Sequence, residues 1–285
     1  WESVPAAHAD LPAGVALRPL AQVLDALAPL AAPWRQLVAF TARYYQRSLG
    51  EIAATALPPA LRKLSNAQLL RRLQVKKKAA QTVPEQEKLV ALTAEQQSVI
   101  SQIEQNCGPF LLYGSTGSGK TEVYLHTVAA ALAADPQAQA LVLVPEINLT
   151  PQLLARFERR FAPTLGPQAV ASLHSGLTEA QRLKHWLAAH TGQARIVLGT
   201  RMAVLASLPQ LKIIVVDEEH DPSFKQEEGA RYSARDLALW RGREQHAKVI
   251  LGSATPSLES WHASRPATDS DPGGRYLRLH MPSRI

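Results

Sequence analysis

The sequence predicts an α/β fold, a parallel sheet flanked by helices, preceded by a small, mostly helical N-terminal segment. Three observations lead there. From residue 93 onward, short β-branched or apolar runs alternate with stretches of helical periodicity, the pattern of consecutive βαβ units. One such run, Phe110-Leu-Leu-Tyr113, leads directly into a glycine-rich turn and then a helical pattern. Another, Ile213-Ile-Val-Val216, ends in three consecutive acidic residues.

In chain order, residues 1–60 form the first unit. Val23, Leu24, Leu27 and Leu30, then Leu37, Phe40, Tyr44 and Tyr45, recur at helical spacing, and Pro58 and Pro59 end the pattern. Residues 61–91 read as a basic linker carrying Arg62, Lys63, Arg71, Arg72, Lys76, Lys77 and Lys78; such a run is either a solvated helix face or tether, or a contact to DNA. Residues 92–285 make the α/β lobe. Strands are predicted at 110–113, 141–144, 169–173, 196–198, 213–216 and 249–251, and helices at 119–133, 150–161, 178–189 and 234–243. Six strands joined by helical crossovers make a RecA-like lobe the natural architecture.

Composition bounds the function classes. With 46% hydrophobic and 19% charged residues, the 285-residue chain is too apolar to remain disordered. A net charge of +7 suits a polyanionic partner without selecting one. The single cysteine, Cys107, excludes an internal disulfide and any multi-cysteine zinc site within this chain, and is read as structural. Apolar stretches fall well short of the ~20 residues that cross a bilayer, so a cytoplasmic protein is expected. Because the sequence starts at Trp1 and stops just after a basic, strand-like run, it is read as a piece of a longer protein.

Gly114-Ser115-Thr116-Gly117-Ser118-Gly119-Lys120-Thr121 fits the phosphate-binding P-loop pattern and sits between a strand and a helix, as that pattern requires. Its glycines let backbone N–H groups and a helix N-terminus surround a nucleotide's phosphates. Lys120 brings a positive charge to the β- and γ-phosphates, and Thr121 a hydroxyl for Mg²⁺. At the end of the 213–216 run, Asp217 is the expected holder of Mg²⁺ and Glu218 the base that activates the attacking water. Together these motifs predict ATP hydrolysis chemistry, with Lys120, Asp217 and Glu218 as the catalytic set.

Asp217-Glu-Glu-His220 and Gly252-Ser-Ala-Thr-Pro256 resemble motifs II and III of superfamily 2 helicases. The resemblance implies that His220, Ser253 and Thr255 couple nucleotide state to lobe movement. Leu92-Thr-Ala-Glu-Gln96 is similar to the family's adenine-recognising element, which implies that Gln96 reads the base edge with its amide; taken alone, Gln96 is an exposed helix residue. The segments 144–152 and 197–201 resemble motifs Ia and Ib, implying that Thr150, Thr200 and Arg201 bond phosphate oxygens of a single strand.

Residues 221–238 closely resemble the aromatic-rich loop of the PriA family of replication-restart helicases. That implies base stacking on Phe224 or Tyr232 and phosphate contacts from Lys225, Arg231 and Arg235. The alternative is a surface loop whose aromatics anchor the core. Ala230 and Asn148 depart from the family pattern, which has an aromatic residue and a glycine there. Residues 18–57, including Arg18, Tyr44 and Tyr45, look like the latter part of the family's domain for the 3′ end of a nascent strand. The family's winged-helix region has no room in 62–92.

The resemblance implies an ATP-dependent 3′→5′ DNA helicase of replication restart and primosome assembly, using ATP and Mg²⁺. Implied partners are single-stranded and forked DNA, primosome proteins and single-strand-binding proteins. Zinc is expected in full-length members, in a second half that this sequence lacks. The second lobe supplies an arginine finger to ATP in this family, so the chain alone is expected to bind ATP·Mg²⁺ and DNA with little turnover. Another superfamily 2 DNA translocase, or a non-catalytic ATP-gated DNA-binding module, remains open.

Overall fold

A computed structural model describes residues 23–73 and 91–284; Arg18 and Lys76 to Lys78 lie outside the described residues. The lobe's strands are β1 (Phe110–Gly114), β2 (Gln139–Leu143), β3 (Val170–Leu173), β4 (Ile196–Gly199), β5 (Leu211–Val216), β6 (Lys248–Ser253) and β7 (Leu277–Met281). They form one sheet in the order β3-β4-β2-β5-β6-β1-β7, with every pairing parallel. Both faces of a parallel sheet must be covered, and the side chains divide accordingly. Leu111, Leu141, Leu143, Ile214, Val216 and Leu251 pack into one core, while Phe110, Leu112, Val142, Ile213, Val215 and Ile250 pack into the other.

Helices α4 (Ala94–Gln105), α5 (Lys120–Ala134) and α6 (Pro151–Leu165) cover the second face. Their start points follow from local chemistry. Thr93 and Gln96 form a reciprocal capping box, and Thr150 accepts a hydrogen bond from Leu153 N–H just before Pro151. A second capping box, Thr178 with Gln181, starts α7 (Glu179–His190), and Ser233 caps α8 (Ala234–Gln245). A short helix, α9 (Leu258–Ala263), follows β6.

Two expectations meet a different arrangement. The N-terminal helices α1 (Ala32–Tyr44) and α2 (Leu49–Ala56) do not stand apart from the lobe. Trp34, Leu37, Val38 and Ile52 share one core with Leu143, Val216 and Leu251, so these helices form part of the cover on the first sheet face. Trp34 and Leu37 are too large and apolar to leave in water when that face is open beside them. The expected linker is also structured where it is described: a 3₁₀ turn (Pro59–Lys63) and α3 (Asn66–Leu73) bring Leu61, Leu64 and Leu69 against Leu183, Trp186 and Leu187 of α7. Arg71 and Arg72 point to solvent there, as a charged helix face does.

The six predicted strands are present, with shifted ends, and β7 adds a seventh at the sheet edge. It reads poorly because only Leu279 and Met281 are buried while Arg278 and His280 alternate with them. Likewise β2 begins at a polar residue: Gln139 is fully buried because its amide donates to Ala189 and Ala194 carbonyls and accepts from Gln210 N–H. Among the described residues no helix is long and apolar enough to cross a membrane.

Candidate nucleotide site and strand-facing edge

The order β5-β6-β1 sets three strand ends side by side. At the end of β1 the chain turns through Gly117 and Gly119, with φ of 85° and 81°, a region that only glycine enters freely, and α5 starts at Lys120. A side chain at Gly114 would strike the Met281 carbonyl at 2.7 Å and Ser118 Oγ at 2.8 Å. Lys120 is buried, and its ammonium donates to the Gly114 and Ser115 carbonyls at 2.8 and 3.3 Å, which knits the loop. The Ser115 and Ser118 hydroxyls are buried without a partner. Unpaired hydroxyls, a positive side chain and the N-terminus of a fifteen-residue helix are what a phosphate requires, so the residues fit a nucleotide. Half-buried Thr121 follows in the first turn.

Gln96 is placed differently from its expected role. It is 2% exposed, its carbonyl accepts from Thr93 N–H and its amide donates to Gly119 O at 3.3 Å. It therefore ties the cap of α4 to the P-loop rather than presenting an open edge to a base.

At the end of β5, Asp217 N–H bonds to Leu143 O and Asp217 Oδ1 accepts from Tyr124 Oη at 2.9 Å. Tyr124 reaches it by passing over Gly252, where any side chain would collide with the phenol. Burial, and then the neighbouring Glu218 carboxylate, push the Asp217 carboxyl up; burial, and then Asp217, hold the Tyr124 phenol well above its usual range. A divalent cation would relieve the crowding of negative charge at Asp217. Glu218 sits in a left-handed turn, φ 47°, with its carboxylate 3.7 Å from His220 Nδ1.

The three residues expected to couple come together. His220 Nδ1 pairs with Ser253 Oγ at 2.7 Å and His220 Nε2 with Thr255 Oγ1 at 3.3 Å, joining the end of β5 to the end of β6. A fourth residue, which the motif reading passed over, fixes this arrangement. Glu219 is 1% exposed and its carboxylate accepts from Ser257 N–H (2.7 Å), Ser257 Oγ (3.1 Å), Ser260 Oγ (2.8 Å) and Arg235 (3.3 Å). The signal was a third acid on a tight turn followed, after motif III, by two serines at helix-start spacing.

The strand-facing residues divide into two groups. Phe224 and Tyr232 are 3% and 2% exposed and belong to the first core, so neither presents a ring for base stacking. Apolar burial outweighs exposure for a large ring beside an unfilled core. Ala230 is buried with them. Arg235 is held by Asp236, Glu219 and Ser257 Oγ, and Arg201 by Gln226 Oε1 (2.7 Å) and Ser223 O (3.1 Å), so both fix the loop instead of offering free charge. Lys225 and Arg231 are exposed, Lys225 lying 5.4 Å over the Tyr45 ring. Thr150 keeps its capping position, and Thr200 is buried with its hydroxyl unpaired. Asn148 closes a 3₁₀ turn without a left-handed backbone. Cys107 is exposed, not structural, because it lies in the loop between α4 and β1.

Two buried side chains clamp the turn after Thr200. Trp34 Nε1–H donates to Leu205 O and the Arg241 guanidinium to Val204 O, each at 2.8 Å. Arg241 is 0% exposed with no acidic partner among the described residues, and burial pushes it down to about 9.

Residues 63–263, which hold the P-loop, Asp217 to His220 and the Ser253 to Thr255 segment, match the DEAD/DEAH box helicase family. The chain belongs to that family. Residues 4–58 match the 3′ DNA-binding domain (3′BD) of PriA. Relatives of this DEAD/DEAH box chain include the replication restart protein PriA of Bacillus subtilis, 44% identical over 60% of this chain and 21% of that protein. That of Haemophilus influenzae is 46% identical over 70% of this chain and 26% of that protein. That of Synechocystis is 47% identical over 61% and 20%. The chain thus spans between a fifth and about a quarter of the length of these curated relatives. The DNA-bound DUF1998 helicase MrfA aligns over 68% of this chain and 27% of its own at 18% identity, with a TM-score of 0.48; the fold assignment rests on the sheet order itself.

Proposed function

We propose that this chain is the ATP-binding lobe of a 3′→5′ DNA helicase of the PriA type, acting in replication restart. The observation that carries it is the contact chain from the P-loop edge to motif III. Asp217 and Glu218 stand at the end of β5, and His220 beside them bonds directly to Ser253 and Thr255 at the end of β6. A change in the nucleotide's phosphates felt at Glu218 therefore reaches the segment after β6 through two contacts.

In this reading Lys120 and the P-loop N–H groups bind the phosphates, and the Ser115 and Ser118 hydroxyls take their remaining oxygens. Thr121 and Asp217 would hold Mg²⁺, which would supply neutralising positive charge for the phosphates. Glu218 orients the attacking water and takes its proton. Thr150, Lys225 and Arg231 hold the strand backbone by charge and hydrogen bonds without reading sequence. Forked DNA, primosome proteins and single-strand-binding proteins are the proposed partners, the cytoplasm the proposed compartment, and residues 1–60 and 92–285 the proposed functional division.

The test is ATP turnover by the purified chain with and without forked DNA. Nucleotide binding with turnover slowed by about 10³-fold or more against a two-lobed helicase is expected, because the arginine finger comes from the second lobe. Strong DNA-stimulated turnover would overturn that dependence. A second expectation concerns the strand. Changing Lys225 and Arg231 together to Ala should weaken single-strand binding and lower the salt slope by about 1.4, the value for two phosphate contacts. Nucleotide affinity should hold. An unchanged slope would remove both residues from the strand path.

A further inference from the structure

A cleft of about 440 Å³ opens at the ends of β3 and β4, between the 226–232 loop and α2. Its size falls in the ~300–1,000 Å³ range of small-molecule sites. The charge lining it is the wrong sign for a phosphate: Glu51, Glu146 and Glu228 all border it. Of its two guanidinium groups, that of Arg201 is already held by Gln226 and Ser223. A strand backbone following Thr150 and Arg231 would be kept at the rim by like-charge repulsion, and a neutral group would be the part that fits inside.

Two donors in the cleft are buried and lack partners: the Thr200 hydroxyl, on a residue 2% exposed, and Arg182 Nε. Buried unpaired donors are uncommon in folded proteins, and a bound acceptor relieves them. Arg182 and Met202 also line an adjoining cavity of about 220 Å³, whose wall includes Trp186, with a third buried donor, Nε1–H, unpaired.

We propose that this cleft holds one unstacked nucleobase of the bound strand, selected for an exocyclic amine. Carboxylates accept from an amine, and a hydroxyl or guanidinium donates to a neighbouring ring nitrogen or carbonyl. This is the complement of the amine-bearing edges of cytosine, adenine and guanine. Thymine has carbonyls and a single ring N–H but no amine. Met202 and Ala230 supply apolar wall for the ring. The inference rests on the strand-binding reading above and adds a base preference to a path whose other contacts are blind to sequence.

Binding of deoxycytidine and thymidine homopolymers to the chain, measured by fluorescence anisotropy at neutral pH, separates the two. A preference for deoxycytidine of about fivefold or more is expected, in keeping with one amine contact. In the double variant Glu146→Gln, Glu228→Gln, both positions exposed, the preference should fall to within about twofold; Thr200→Val should weaken deoxycytidine binding. Equal binding of the two polymers by the unaltered chain overturns the base site and leaves the strand path intact. So does a preference that survives the double variant. Tighter binding of both polymers by the variant, without a change in preference, means that the carboxylates only repel the backbone. Failure to bind either polymer overturns the strand reading itself.

Discussion

Replacing Lys120 by Ala is expected to weaken nucleotide binding by at least about 100-fold. The ammonium is buried, so its charge acts in a poorly screened setting, and opposite charges about 4 Å apart at an effective dielectric near 20 attract by roughly 4 kcal/mol. Even half of that changes affinity more than tenfold. Lys120 also bonds the Gly114 and Ser115 carbonyls, and losing those bonds loosens the cradle that presents the backbone N–H groups. Titration of a fluorescent ATP analogue measures the effect, and the melting temperature of the variant shows whether the lobe is intact. Unchanged affinity in a folded variant would sink the phosphate-site assignment.

The P-loop and the Asp217 motif were legible in the sequence for a physical reason. A parallel strand buried on both faces is a continuous apolar run, so the residues that follow it are placed at the sheet's edge by the fold itself. Phe110 to Leu112 and Ile213 to Val216 are such runs, and the order β5-β6-β1 brings their ends together. His220, Ser253 and Thr255 were expected together from the resemblance to motifs II and III alone, and they meet because β5 and β6 are neighbours in the sheet.

The 221–238 loop was not legible, because the same residue types serve opposite ends. An aromatic ring that stacks on a base and one that plugs a core are identical in sequence, and so are a phosphate-binding arginine and one paired to a buried acid. The difference for Phe224 and Tyr232 lies in the helices upstream. The packing of α1 against the first sheet face creates the core that takes both rings, and Tyr45 Oη accepts from Ser233 N–H at 3.0 Å, fixing the loop's exit. Arg235 turns inward because Glu219 faces it. Gln96 is a similar case: the capping box that starts α4, a helix outside the four predicted, uses the amide that was expected to read a base.

Glu219 gives the second large effect. Glu219→Ala is expected to destabilise the chain by about 3–5 kcal/mol, the cost of removing one partner from a buried ion pair, and to lower the melting temperature by roughly 10 °C. Its side chain is 0% exposed and has two hydroxyls, a backbone N–H and Arg235 as donors, all of which would face an empty pocket. Because Ser257 lies two residues beyond Thr255, the loss also frees the segment that His220 holds. Nucleotide affinity should fall far less than in Lys120→Ala, since the Glu219 carboxylate bonds no P-loop residue. Glu219→Gln separates shape from charge: it keeps the volume and an acceptor, loses the ion pair with Arg235, and should recover about half of the stability. Thermal melts of the two variants decide it. A melting temperature for Glu219→Ala within a degree or so of the parent would mean that Arg235, Ser257 and Ser260 find other partners, and that the segment after β6 is held by His220 and not by Glu219.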